Sequence, residues 1–248
     1  MQGLQKNPPS SNLKNGDDNM LIINGRILTM TGTDYEHGYL YSKGKTIKKV
    51  GDMKEFPETI REQCQKEKDQ VLDVQGAWVM PGLIDAHCHV GIAEEKWGAI
   101  GDDCNEVTTP VTPQIRALDG INPMDPAFHD AIQAGITSLM TGPGSSNVVG
   151  GQSVFMKVQG RCLDKMVVKA PAAMKIAFGE NPKVNYGDKD KMPGSRMAIA
   201  GMLREELYQA CQYEEKKKSG NINQGEEDFR MECWIPVLHG EIPLKAHV

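Results

Sequence analysis

From Pro81 onward the sequence repeats one grammar: an apolar run, a polar or glycine-rich stretch, then a helical pattern. Leu83-Ile84-Asp85-Ala86 is a strand that ends in His87, and an irregular stretch covers 91–122. Asp125-Pro126 opens a helix, because Pro at a first-turn position gives up an N–H that had no partner there. That helix stops at Gly135. Residues 136–140 form the next strand, closing on Thr141-Gly142-Pro143-Gly144. Residues 173–178 form a third, followed by Gly179-Glu180-Asn181-Pro182. Ser195 caps a long helix with Ile199, Leu203, Leu207, Ala210 and Cys211 at helical spacing. A further helix covers 228–238, and 244–248 is a fourth strand. Strand, loop and helix in repetition predict βα units on a parallel sheet, with the site where the strands end. A closed barrel needs about 250 residues and eight strands. About 168 residues run from Pro81 to the end. The expected fold class is therefore α/β, an incomplete (β/α)8 TIM barrel over 81–248.

A small β-sandwich portion over 21–80 precedes it. Residues 21–30 read as two short strands around an Asn24-Gly25 turn, and 38–47 repeat the pattern with Lys-Gly. Residues 71–74 and 78–80 are further strands, and the charged stretch 54–70 is a surface helix. The polar residues 1–20 read as a disordered leader, with Met20 a candidate start.

Composition narrows function. A net charge of -5 and pI near 5.7 give no basic face for nucleic acid. No apolar run approaches the roughly 18 residues of a membrane span, and the leader lacks a secretory signal's apolar core. None of the 6 cysteines sits as C-x-x-C, so the expectation is reduced thiols in a cytoplasmic protein.

His87-Cys88-His89 carries the chemistry. Side chains alternate along a strand, so both imidazoles share a face and can reach one ion. Imidazole suits zinc, iron, nickel and copper. The preceding apolar strand is expected to bury the pair, and buried imidazoles without a partner are costly. Cys88 faces the other way and should pack. Residues 141–147 with Gly150-Gly151-Gln152 read as a glycine-rich, pocket-lining loop. No Gly-Lys-Ser/Thr follows, so it is not a P-loop.

The run Val79-Met80-Pro81-Gly82-Leu83-Ile84-Asp85-Ala86-His87-Cys88-His89 resembles the signature of the metal-dependent amidohydrolase superfamily, in particular the imidazolonepropionase-like amidohydrolases. Ile22-Ile23-Asn24-Gly25-Arg26-Ile27 is similar to that family's first strands. The resemblance implies an H-x-H closing barrel strand 1. It implies a carboxylated lysine or a glutamate from strand 3 or 4, and histidines from strands 5 and 6. It also implies a proton-shuttling aspartate after strand 8. Carried over, the metal ligands are His87, His89, Glu180 and His247. Lys175 is the rival bridging group, less well placed because it lies inside its strand. Lys183 and Tyr186 are expected to reach substrate.

The strand 6 histidine and the base aspartate are expected beyond the chain end, which makes this an amino-terminal portion expected to be inactive alone. The implied activity is hydrolysis of amide or cyclic amide carbon–nitrogen bonds with a divalent metal, zinc in one or two ions. The implied partner is a small-molecule substrate, with no nucleic acid, no membrane and a homo-oligomer left open. The alternative is a non-catalytic half-barrel serving binding or assembly.

Overall fold

A computed structural model describes residues 19–67, 69–95, 97–223 and 225–248. The leader expected over 1–20 lies, up to residue 18, outside the described residues. The chain divides into two compact units, Met1–Pro81 and Gly82–Val248.

The first unit is a five-stranded sheet built on β1 (Met20–Ile27). β1 pairs antiparallel with β2 (Tyr35–Lys43), which pairs with β3 (Thr46–Asp52). After α1 (Glu58–Glu67), β4 (Gln70–Asp73) and β5 (Trp78–Val79) add to β1 in parallel. Asn24-Gly25 does not turn the chain, contrary to the sequence reading. β2 runs along the whole of β1, so the extra residue is absorbed as a bulge: Asn24 takes φ 58 and the register slips on both sides of Gly25. The core is Leu21, Tyr39 and Tyr41 packed on Ile60 and Cys64 of α1.

The second unit holds a sheet in the order β10-β9-β8-β7-β6. Along the chain come β6 (Leu83–Cys88), α2 (Pro126–Gln133), β7 (Ile136–Thr141) and β8 (Val149–Lys157). Then follow α3 (Leu163–Met166), β9 (Val167–Ala177), α4 (Glu180–Gly187), α5 (Arg196–Lys218), α6 (Phe229–Glu232), α7 (Ile235–Leu238) and β10 (Leu244–His247). The helix starts follow the caps read from sequence. Asp125 accepts from Ala127 N at 3.1 Å and Ser195 from Ala198 N at 3.2 Å.

The sheet is not wholly parallel. β6 with β7, and β9 with β10, are parallel pairs, but β8 runs antiparallel to both neighbours. Gly150, Gly151 and Gln152 are thus strand residues and not the loop expected of them. The glycines fit a strand for a steric reason. A Cβ on Gly151 (φ +118) would sit 2.3 Å from the Ile115 carbonyl oxygen, because the segment through Val111–Arg116 bridges alongside β8.

One face of this sheet is covered by helices. Met174, Ile176, Val148 and Val149 pack on Ile199, Leu203 and Ala210 of α5 and on Trp234. Leu139, Val154 and Met156 pack on Phe128 and Met166. The other face carries Gly151 and Ser153 of β8, which pair with Lys175 and Ala173 of β9. Lys245 of β10 pairs with Lys175 from the other side. Among the described residues no helix is long and apolar enough to cross a membrane.

Candidate active site

The parallel strands β6, β7, β9 and β10 end at one edge of the sheet, and antiparallel β8 begins there. His87 and His89 stand at the end of β6, their ring centroids 5.6 Å apart and their planes at 82°. His89 Nδ1 lies 2.7 Å from the Gly142 carbonyl oxygen. A carbonyl only accepts, so Nδ1 carries the hydrogen and Nε2 keeps a lone pair free. This is the arrangement by which metal-binding histidines are oriented. The His87 backbone N–H donates to Asp85 Oδ1 at 2.9 Å.

Across the face, Lys175 Nζ lies 3.2 Å from His87 Nε2. Lys175 is only 1% exposed. Burial pushes its pKa down from the usual lysine range and the neighbouring Lys245 adds to the push. His87 is likewise pushed down, by burial first and then by Lys175, Lys245, His89 and His247. Among the described residues no carboxylate forms an ion pair with Lys175. Lys175, Lys245 and the His87 and His89 rings thus gather nitrogen groups at this end of the sheet.

The expected burial of the histidine pair is not what the structure has. β6 is an edge strand whose Leu83 and Ile84 are 49% and 62% exposed, and His87 itself is exposed. Desolvation bears on the nearly inaccessible Lys175 and also on the His87 ring that faces it. Cys88 does pack inward, its Sγ 3.6 Å from the Met140 carbonyl oxygen.

The other sequence candidates fall in different places. His247 ends β10 opposite Ala177, half-buried, on the same side of its strand as Lys245. Glu180 is exposed at the first position of α4, beyond Gly179. The group brought to His87 is Lys175, which the sequence reading had placed second to Glu180. Lys183 is exposed on α4. Tyr186 is fully buried, with its hydroxyl 2.9 Å from the Thr109 and 3.2 Å from the Glu106 carbonyl oxygens. It anchors the 104–116 segment and has no free surface for a ligand.

Sequence reasoning missed Lys245, whose Nζ donates to the Ala86 carbonyl at 2.6 Å. The available signal was its place two residues before His247, on the same side of the strand. It also missed the close packing of Gly142, where a Cβ would lie 2.1 Å from Ser153 Oγ.

Among the described residues no group of three or more His, Cys, Asp or Glu side chains could hold an ion. Two neutral imidazoles fit a divalent metal, but they bring no anionic donor. Unmodified Lys175, an amine, supplies no anionic donor either.

Fold and site together define an α/β protein with a paired-imidazole centre on the strand ends of its larger sheet. No family model matches the sequence. The chain is 28% identical over 199 residues to Amidohydrolase tasK of Hapsidospora irregularis, covering 71% of this chain and 20% of that protein. It matches the crystal structure of an amidohydrolase from Thermotoga maritima MSB8 with a TM-score of 0.82 and 36% identity, over 92% of this chain and 58% of that one. The chain thus spans a fifth of the curated relative and less than two thirds of the structural one. It is related to the amidohydrolase superfamily.

Proposed function

We propose that this chain carries the first half of a metal-dependent amidohydrolase site, set on part of a (β/α)8 barrel, for hydrolysis of a carbon–nitrogen bond in a small amide or cyclic amide. The observation that carries the reading is the buried Lys175 amine 3.2 Å from His87 Nε2, with no ion pair to a carboxylate among the described residues. His87, His89 and His247 are the nitrogen ligands, and Lys175 takes the bridging place in preference to Glu180. A divalent ion, zinc in one or two copies, supplies when bound an activated water and a polarised carbonyl.

The rest of the chemistry belongs to the chain's own residues. Burial holds the Lys175 amine nearer its neutral form. Its nitrogen lone pair forms a bond to the carbon of carbon dioxide, and the displaced proton leaves to solvent, giving a carbamate. The neighbouring Lys245, paired with Lys175 across the sheet, favours that anion. Gly142 O accepts from His89 Nδ1 and leaves Nε2 as the ring nitrogen open to a ligand. The glycines of β8 keep the wall beside Lys175 free of side chains.

The test is cobalt or zinc titration of the chain with and without bicarbonate, alongside ¹³C NMR of a bicarbonate-labelled sample. Bicarbonate-dependent binding and a carbamate resonance, both lost in Lys175→Ala, are expected. Binding lost in Glu180→Gln but kept in Lys175→Ala would overturn the assignment.

A second reading, an assembly module, draws on the half-exposed Leu83 and Ile84 of the edge strand β6, since open edges invite pairing. Sedimentation velocity separates it: concentration-dependent association without metal binding favours assembly over catalysis.

A further inference from the structure

The geometry points to Lys245 as a positioning residue for the histidine pair, acting on the backbone of His87 and not on the ion itself. This inference rests on the metal-site reading above. β6 and β10 are the two edges of the sheet. In a flat five-stranded sheet they would lie four spacings of about 4.8 Å apart, about 19 Å. A lysine's four-carbon stem cannot span that distance, yet Lys245 Nζ reaches the Ala86 carbonyl at 2.6 Å. The sheet therefore curls until its edges face each other, and this bond crosses the opening.

The place where it lands matters. The β6–β7 ladder shifts register once between Leu83 and Ile84, pairs Ile84 and Asp85 with Ser138 and Leu139, and after a second irregularity resumes at Cys88. Ala86 and His87 have no ladder partners on β7, and β6 has no strand on its other side. The peptide joining them is held instead by two side chains. Asp85 Oδ1 takes its N–H and Lys245 Nζ gives to its C=O. Lys245 thus stands in for a missing ladder bond at the residue that begins the H-x-H. Its register partner Lys175 touches the ring of the same histidine. The two lysines fix His87 from backbone and ring.

The test compares the chain with K245M and K245R by cobalt titration, read in the visible absorption of the ion, and by NMR of the His87 amide and ring in the metal-free protein at fixed pH. K245M keeps the stem and loses the donor, whereas K245R keeps a donor of similar reach. The expected result is a 10- to 100-fold weaker cobalt affinity in K245M, displaced His87 resonances, and recovery of both in K245R. Unchanged affinity and unchanged resonances in K245M overturn the proposal. If the parent chain takes up no cobalt, the metal reading falls, and the His87 resonances alone decide the positioning role. If circular dichroism finds K245M unfolded, K245Q, whose shorter amide does not reach Ala86, takes its place.

Discussion

Lys175 Nζ and His87 Nε2 lie 3.2 Å apart although their residues are 88 positions apart in sequence. The contact joins the interior strand β9 to the exposed edge strand β6, and it makes Lys175 the buried amine that the fold must tolerate. Replacing it with Met removes a charge that no acid offsets. K175M should be more stable than the parent by about 1 kcal/mol or more at neutral pH, measured by urea unfolding. The same variant should lose metal binding. A less stable K175M would mean that the lysine contributes to the fold and not to the site.

Acid should weaken the metal-free fold through His87. Its folded pKa is pushed below the ordinary 6.5, so as pH falls past that value the unfolded chain binds more protons than the native one. Stability therefore rises with pH in this window: the contribution is present above 6.5 and is lost as pH falls through the folded value. Lys175, pushed below 10.5, adds the same sign from 10.5 downward. The urea midpoint should fall between pH 7.5 and 5.5, and His87→Gln should flatten that fall. An unchanged slope in the variant would rule the histidine out as its source.

Gly151 should tolerate no side chain. Its φ of +118 and the Ile115 carbonyl oxygen 2.3 Å from a built Cβ act together. Gly151→Ala should cost about 2–4 kcal/mol, from backbone strain and forced displacement of the adjoining segment. Gly179, with φ +81 but open space around it, is the control: Gly179→Ala bears only the conformational part, so thermal unfolding should rank it well above Gly151→Ala.

The 104–116 segment should loosen when Tyr186 loses its hydroxyl. Tyr186→Phe leaves the Thr109 carbonyl with the Asn147 Nδ2 donor at 2.9 Å and takes away the hydroxyl shared with Glu106. A loss of about 1–3 kcal/mol is expected, with faster amide exchange confined to 104–116. Exchange that rises across α5 as well would show a wider structural role.

The sequence made the strands ending in His87, Thr141 and Phe178 legible, because each apolar run stops at glycine or polar residues. The caps at Asp125 and Ser195 were legible for the same local reason. β8 was not. Gly150-Gly151 reads as a turn in isolation, and only the Ile115 carbonyl pressed against it explains glycine inside a strand. The H-x-H was legible as a pair, but not its exposure, since nothing local says that β6 lies at an edge. Glu180 outranked Lys175 in the sequence because a strand-end carboxylate looks like a ligand. Which side of β9 faces His87 depends on pairing with β8 and β10, and those pairings are long-range.

Reversal of β8 has a consequence for how such a site could change. The strand begins Val149-Gly150-Gly151, and Gly150 lies against the Lys175 stem, so this part of the wall beside Lys175 is main chain. A binding surface made of peptide groups has no side chain to trim. Single substitutions there can only add bulk, and at Gly151 the fold resists even a methyl group. Enlarging the space for a bulkier molecule would have to come from the neighbouring 104–116 segment, ahead of the residues 110–116 that hydrogen-bond to β8.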